Sequence, residues 1–171
     1  LLEELAASLP GTSRVATLDL SLPEAARRQL ALLFEQLEDV DLVVINAGTG
    51  SMAPDFPLED ELATIAVNVS GFTLAANLSY HYFLKRGRGH IVGISSIMAL
   101  RGGPAPAYNA SKAYVSSYLE GLGCKLMRSE ADICLTDVRP GFVDTAMARG
   151  DGLFWVASVD KAARQILRAI R

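Results

Sequence analysis

The chain has 171 residues, 50% of them hydrophobic and 20% charged, with a formal net charge of -3. That composition fits one ordinary α/β-sized domain with enough apolar material for a core. The slight acidity argues against a nucleic-acid surface and against polybasic membrane contact.

Leu1 to Leu9 reads as the back half of an amphipathic helix, closed by Pro10-Gly11. Arg14 to Leu20 is rich in β-formers and predicts a strand. Ser21 as cap, Pro23 in the first turn and Glu24 at the capping-box position predict a helix to about Leu37, with Leu30, Leu33 and Phe34 on its apolar face. The apolar run in Asp41 to Asn46 predicts a strand buried on both faces. A loop from Ala47 to Pro57 leads to a long helical pattern, Glu59 to about Arg86, interrupted near Asn68 to Gly71. His90 to Ser96 predicts a third strand, Pro106 to Arg128 a helix, and Asp132 to Val138 a fourth strand. Ser158 or Asp160 caps a last helix, with Ala163, Ile166, Leu167 and Ile170 as its inner face. This alternation predicts a doubly wound parallel sheet in a single domain over residues 1–171.

Cys124 and Cys134 lack C-x-x-C spacing and read as small buried residues of a reducing, cytoplasmic compartment. His81 and His90 have no acidic or thiol partner at ligand spacing, so no metal is expected. No apolar run is expected to span a membrane.

Four features carry chemistry, three of them at the carboxyl ends of the predicted strands, where open α/β sheets bind ligands. Asn46-Ala47-Gly48-Thr49-Gly50 offers backbone to a flat ligand, Ser95 and Ser96 place hydroxyls at a strand end, and Pro140 to Thr145 exposes a turn. The fourth is Tyr108-Asn109-Ala110-Ser111-Lys112, which puts Tyr and Lys one helical turn apart on one face. At about 6 Å and an effective dielectric of about 20 the attraction between ammonium and phenolate is roughly 3 kcal/mol. A Tyr so supported can exchange a proton with an alcohol or carbonyl oxygen. Asn68 interrupts a helix, where Asn is a poor interior residue, and marks a functional bend or a solvated position.

On these residues the chain resembles the short-chain dehydrogenases/reductases, the branch with N-A-G and Y-x-x-x-K motifs. The resemblance implies a Rossmann-like fold. It implies a catalytic set of Asn68, Ser96, Tyr108 and Lys112. For the cofactor it implies Asp19 and Leu20 beside the adenine, Asn46, Ala47 and Gly48 after the strand, and Pro140, Gly141, Val143 and Thr145 at the nicotinamide, with Tyr108 and Lys112 shared. Asn68 would hold a water through its backbone carbonyl, and Lys112 would bind the nicotinamide ribose. The implied activity is NAD(P)(H)-dependent hydride transfer between a carbonyl and a secondary alcohol, with the choice between NAD and NADP open. A homodimer or homotetramer is implied, and Tyr80, Phe83, Tyr114, Tyr118 and Leu122 are expected to face a partner subunit.

Two departures stand out. The family spaces its Ser thirteen before the Tyr, which gives Ser95; the strand pattern favours Ser96, at twelve. The T-G-x-x-x-G-x-G phosphate turn, the first two strands and the last strand of the family are not in this sequence. The chain therefore reads as part of a longer gene product, expected to be unstable and unable to bind the dinucleotide on its own. A sugar-nucleotide epimerase, or a non-catalytic dinucleotide sensor or scaffold on the same fold, are the alternatives. Leu153 to Val156, after Gly150 and Gly152, predicts a hinged lid over the substrate.

Overall fold

Strand β2, Arg88–Ile94, is the centre of a parallel sheet in the computed structural model, which describes residues 2–37, 39–145 and 155–170. It pairs with β1, Leu42–Ile45, from Leu42↔His90 to Ile45↔Gly93. On its other side it pairs with β3, Asp132–Val138, from Arg88↔Asp132 to Ile94↔Val138. The strand order is β1-β2-β3. Parallel neighbours require helical crossovers.

The helices in chain order are α1, Leu2–Ser8; α2, Pro23–Gln36; α3, Leu58–Ile65; α4, Phe72–Arg86; α5, Pro106–Leu126; and α6, Val159–Ile170. Between α3 and α4 runs a π-helical segment, Ala66–Gly71, in which the Phe72 N–H reaches back to the Val67 carbonyl, five residues earlier. The predicted interruption is thus one extra residue in a continuous helix. A 3₁₀ turn, Ile97–Leu100, separates β2 from α5. Gly87, at φ 76, ends α4 in the left-handed conformation and lets β2 begin at the next residue.

The core lies where α4 and α5 meet one face of the sheet. Phe72, Ala76 and Phe83 from α4 join Val115, Leu119 and Leu122 from α5 over Ile45 and Ile91. Burying a side chain the size of Phe83 is worth roughly 3 kcal/mol. The continuous stretch Leu58–Arg86 has the length and composition of a membrane span, which the sequence reading did not expect. Here it is a core helix, with Asn68, Phe72, Ala75, Ala76, Ser79 and Phe83 buried against protein.

Several expectations are corrected. Residues 14–20 form no strand, because no strand among the described residues pairs with them and strand propensity alone makes no ladder. Leu42 and Val44 of β1 are exposed, because α4 and α5 both cover the opposite face. Leu22, not Ser21, is the α2 N-cap, and it makes no side-chain cap. Ser21 instead turns its hydroxyl to Asp19. Cys124 and Cys134 are exposed, the latter on the outer face of β3. Phe83 and Leu122 point into the core, leaving Tyr80, Tyr114 and Tyr118 half-buried at its edge. In α6 the half-buried positions are Ala162, Ile166 and Ile170, while Ala163 and Leu167 are exposed.

One buried-side histidine gives the fold a pH signature. His90 Nε2 lies 2.8 Å from the Thr136 hydroxyl across β2 and β3, and burial holds its pKa below the ordinary imidazole value. A depressed histidine pKa means the unfolded chain binds the proton more readily, so stability falls as pH drops below about 6.5. The thermal midpoint should fall on acidification through that range, and less steeply in His90→Gln. Equal slopes in the two proteins would remove His90 from the effect.

Candidate functional site

The carboxyl ends of all three strands open into one cavity of about 480 Å³, and α5 lays Tyr108 and Lys112 along its wall. Residues after β1 (Asn46, Gly48, Gly50), after β2 (Ser95, Ser96) and after β3 (Pro140, Gly141, Val143, Thr145) complete the lining. Ala47 is exposed and does not line it.

Asn68 is the hinge of this arrangement. It is 1% exposed. Its Oδ1 accepts the Thr49 N–H at 2.8 Å, and its Nδ2 donates to the Thr49 carbonyl at 2.7 Å. Nδ2 also donates to Ser111 Oγ at 2.9 Å, and Ser111 Oγ donates to the Tyr108 carbonyl at 2.8 Å. The side-chain amide thus pairs with the Thr49 backbone as a strand would, and ties that loop to the first turn of α5. The π-helical extra residue is what aims Asn68 inward.

Lys112 is 5% exposed, and its Nζ donates to the Ile94 carbonyl at 2.8 Å. Burial pushes its ammonium pKa down, and the charge of Asp137 pushes back. Nζ lies 5.7 Å from the Tyr108 ring centroid. The Tyr108 ring in turn lies over Gly50, where a Cβ would sit 2.6 Å from its Cδ2. Gly50 is therefore the floor on which the phenol rests, and any side chain there would push the ring away.

The two serines have different partners. Ser95 donates its hydroxyl to Asp137, with the Val138 carbonyl 3.2 Å away. Ser96 Oγ accepts the Met98 N–H at 3.1 Å as the cap of the 3₁₀ turn, and no acceptor among the described residues takes its proton. The start of α5 is pinned from outside: Glu61 on α3 accepts the Ala107 N–H at 3.0 Å. Asn109 Nδ2 holds the Met98 and Arg101 carbonyls, each at 3.0 Å.

Asp19 and Leu20 are not in the cavity wall. Asp19 Oδ1 accepts the Ser21 hydroxyl at 2.6 Å and its N–H at 2.9 Å, which hold the carboxyl below its usual range. Leu20 is buried against Gly71, where a Cβ would meet it at 2.6 Å. Asp137 was missed by the sequence reading, while Thr49 and Gly50 were read only as ligand-facing backbone and Ser111 only as part of the helical Tyr-Lys stretch. For Gly50 and Ser111 the signal was present, in the second glycine of the loop and in the residue before the Lys. Of the predicted lid, Gly150, Gly152, Leu153 and Phe154 lie outside the described residues; Trp155 is 93% exposed and Val156 is exposed too.

A family model described as short chain dehydrogenase matches residues 1–152. The chain is 35% identical over 133 residues to 2-dehydro-3-deoxy-D-gluconate 5-dehydrogenase of Bacillus subtilis, covering 76% of this chain and 51% of that protein. It is 31% identical over 147 residues to L-rhamnose-1-dehydrogenase of Scheffersomyces stipitis, covering 82% and 56%. The chain thus spans about half the length of these curated relatives. Among solved structures, a short-chain dehydrogenase from Sphingobium yanoikuyae in complex with NADPH shares the fold, with TM-score 0.84 at 24% identity over 98% of this chain and 69% of that one. An NADPH-dependent 3-quinuclidinone reductase from Rhodotorula rubra gives TM-score 0.81 at 25% identity, covering 98% and 68%.

The Asn68 contacts carry a stability expectation. Asn68→Ala leaves the Thr49 N–H and carbonyl without their amide partner and removes the donor to Ser111 Oγ, which keeps its own bond to the Tyr108 carbonyl. It should cost about 1–3 kcal/mol per group left unsatisfied, read as a lower denaturant midpoint. A midpoint unchanged from wild type would show that the amide does not tie the two segments together.

Proposed function

The chain belongs to the short-chain dehydrogenase family, and from that we propose that the full-length protein is an oxidoreductase that interconverts a carbonyl and a secondary alcohol on a small molecule with NAD(P)(H). The observation that carries this reading is the convergence of Tyr108, Lys112 and Ser96 on one cavity at the strand ends.

The residues present fit the nicotinamide half of such a cofactor. The cavity wall offers bare backbone at Gly48 and Gly141 and a buried ammonium at Lys112, a donor set suited to a carboxamide and ribose hydroxyls. Asn46, Gly48, Pro140, Gly141, Val143 and Thr145 would hold that half, with Lys112 at the ribose; Ala47 belongs to the same loop. Asp19 and Leu20 are proposed for the adenine side, a role their local contacts leave open. When bound, the nicotinamide supplies or accepts the hydride. The 25% identical reductase named as NADPH-dependent supports this class of cofactor, and the choice between NAD and NADP stays open.

Tyr108 Oη gives a proton to the reacting oxygen in reduction and takes it back in oxidation. Lys112 places its ammonium 5.7 Å from that ring centroid, a positive charge near the oxygen from which the proton leaves. Ser96 donates a hydrogen bond to the same oxygen. Its free hydroxyl proton supports it over Ser95, whose proton goes to Asp137. Asn68 holds the Gly48-Thr49-Gly50 floor beneath Tyr108 through the Thr49 backbone, and its own backbone carbonyl is the proposed anchor of a water leading to Lys112. Assembly as a homodimer or homotetramer through α4 and α5 belongs to the same reading.

Tyr108→Phe in the full-length protein should lower turnover by about 10²-fold or more while leaving NADPH affinity nearly unchanged, as read by turnover assays and fluorescence titration. Ser96→Ala should cost more turnover than Ser95→Ala leaves missing at the same pH. Substantial turnover in Tyr108→Phe would overturn the assignment.

A further inference from the structure

Asp137 lies on the core-facing side of β3, in register with Ile133 and Leu135. Its side chain is 17% exposed. One carboxylate oxygen accepts the Ser95 hydroxyl, and the other accepts Arg139 Nε at 2.7 Å. A carboxylate this enclosed needs such partners to remain charged. It lines a second cavity, of about 440 Å³, under α6, while its partner Ser95 lines the one just described.

Its neighbours connect it to the reacting groups. Ser95 is joined to β3 twice, by its hydroxyl on Asp137 and by its N–H on the Val138 carbonyl at 2.8 Å. Ser96 follows directly, and Ile94, directly before, supplies the carbonyl that accepts from Lys112. We propose that Asp137 is a positioning residue of this site, acting on Ser96 through the Ser95 hydroxyl and on Lys112 through its charge. The proposal deepens the oxidoreductase reading and rests on it.

The groups facing Lys112 are few. Tyr108 approaches from its own helix, Asp137 on β3 bonds Ser95, the residue next to the Ile94 carbonyl that Lys112 holds, and Arg139 sits behind Asp137 as its ion-pair partner. The facing groups from β2, the π segment and the Gly48 loop are the Ile94 carbonyl, Asn68 and Gly48, none of them charged. Burial works against the ammonium, and Asp137 is the countering charge. Removing that negative charge lets Lys112 lose its proton at lower pH. Removing the positive charge of Arg139 acts in the opposite direction. Once Lys112 is neutral, the phenolate of Tyr108 loses its support, so turnover falls off at high pH. Asp137 therefore sets where that alkaline fall-off lies.

The test is the pH profile of kcat for full-length Asp137→Asn, Arg139→Gln and Ser95→Ala with NADPH. Asp137→Asn should move the alkaline limb to lower pH and cut kcat at neutral pH roughly tenfold, the rate equivalent of one hydrogen bond to a charged group. The KM for NADPH should change little. Arg139→Gln should move the limb to higher pH, and Ser95→Ala should lower kcat without moving it. A purely structural disturbance would not give opposite shifts for the two charge removals. An unmoved limb in Asp137→Asn, shifts of the same sign in both charge variants, or wild-type kcat in Ser95→Ala would overturn the proposal. Should Asp137→Asn fail to fold, Arg139→Gln decides alone, and no upward shift there overturns it. NMR titration of the Lys112 Cε shift reads the same displacement without turnover. A protein that binds NADPH, shows the displacement and turns nothing over would defeat the oxidoreductase reading while leaving the charge role of Asp137 standing.

Discussion

A buried amide holds the site together. Asn68 is inside the protein with every polar atom of its side chain engaged, two by the Thr49 backbone and one donor by Ser111. An amide in that position is costly unless fully paired, so its geometry is over-determined. It fixes the loop after β1 against the first turn of α5. The floor at Gly50 and the phenol resting on it then have one relative placement. The extra residue of the π segment is the device that makes this possible: it redirects one helix position inward without ending the helix.

Helix α5 carries Tyr108 and Lys112, and its placement is enforced from three directions. Glu61 of α3 binds its first free N–H, which its own N-cap residue, Ala105, leaves without a side-chain partner. Asn109 holds the preceding loop by two carbonyls, and so the 3₁₀ turn capped by Ser96 is tied to the helix that carries Tyr108. On the inner face Val115, Leu119 and Leu122 pack on the sheet. Hydrophobic burial sets the helix against the sheet, and the polar ties set its rotation and register. Lys112 is the cost of this arrangement, a buried cation whose charge is countered, among the described residues, by a carboxylate on a neighbouring strand.

Much of this was legible along the chain. Asp132–Val138 and the start of α5 at Pro106 stand where the pattern of apolar residues and the Pro at the first turn predict them. The break near Asn68 to Gly71 was visible because Asn and Gly disfavour a helix interior, although its form was not. Arg14 to Leu20 misled, because β-propensity is realised only against a neighbouring strand. Ser21 misled similarly: its hydroxyl found the Asp19 carboxylate, a stronger acceptor partner than the capping geometry offered. Phe83 and Leu122 were assigned outward because periodicity says that a helix has an apolar side, not which neighbour covers it.

The sequence by itself determined the type of most elements, the strand read into residues 14–20 excepted, the one-turn spacing of Tyr108 and Lys112, and the presence of glycines where backbone must lie bare. Those properties are local, set by side-chain sterics and by helical and strand periods. Only the tertiary structure decided which serine keeps a free proton, that Asn68 bonds Thr49 and Ser111, and that Asp137 on β3 accepts the Ser95 hydroxyl. Each of those facts joins residues about 20 or more positions apart. Such contacts arise from the packing of separate elements, and no period within a single segment encodes them.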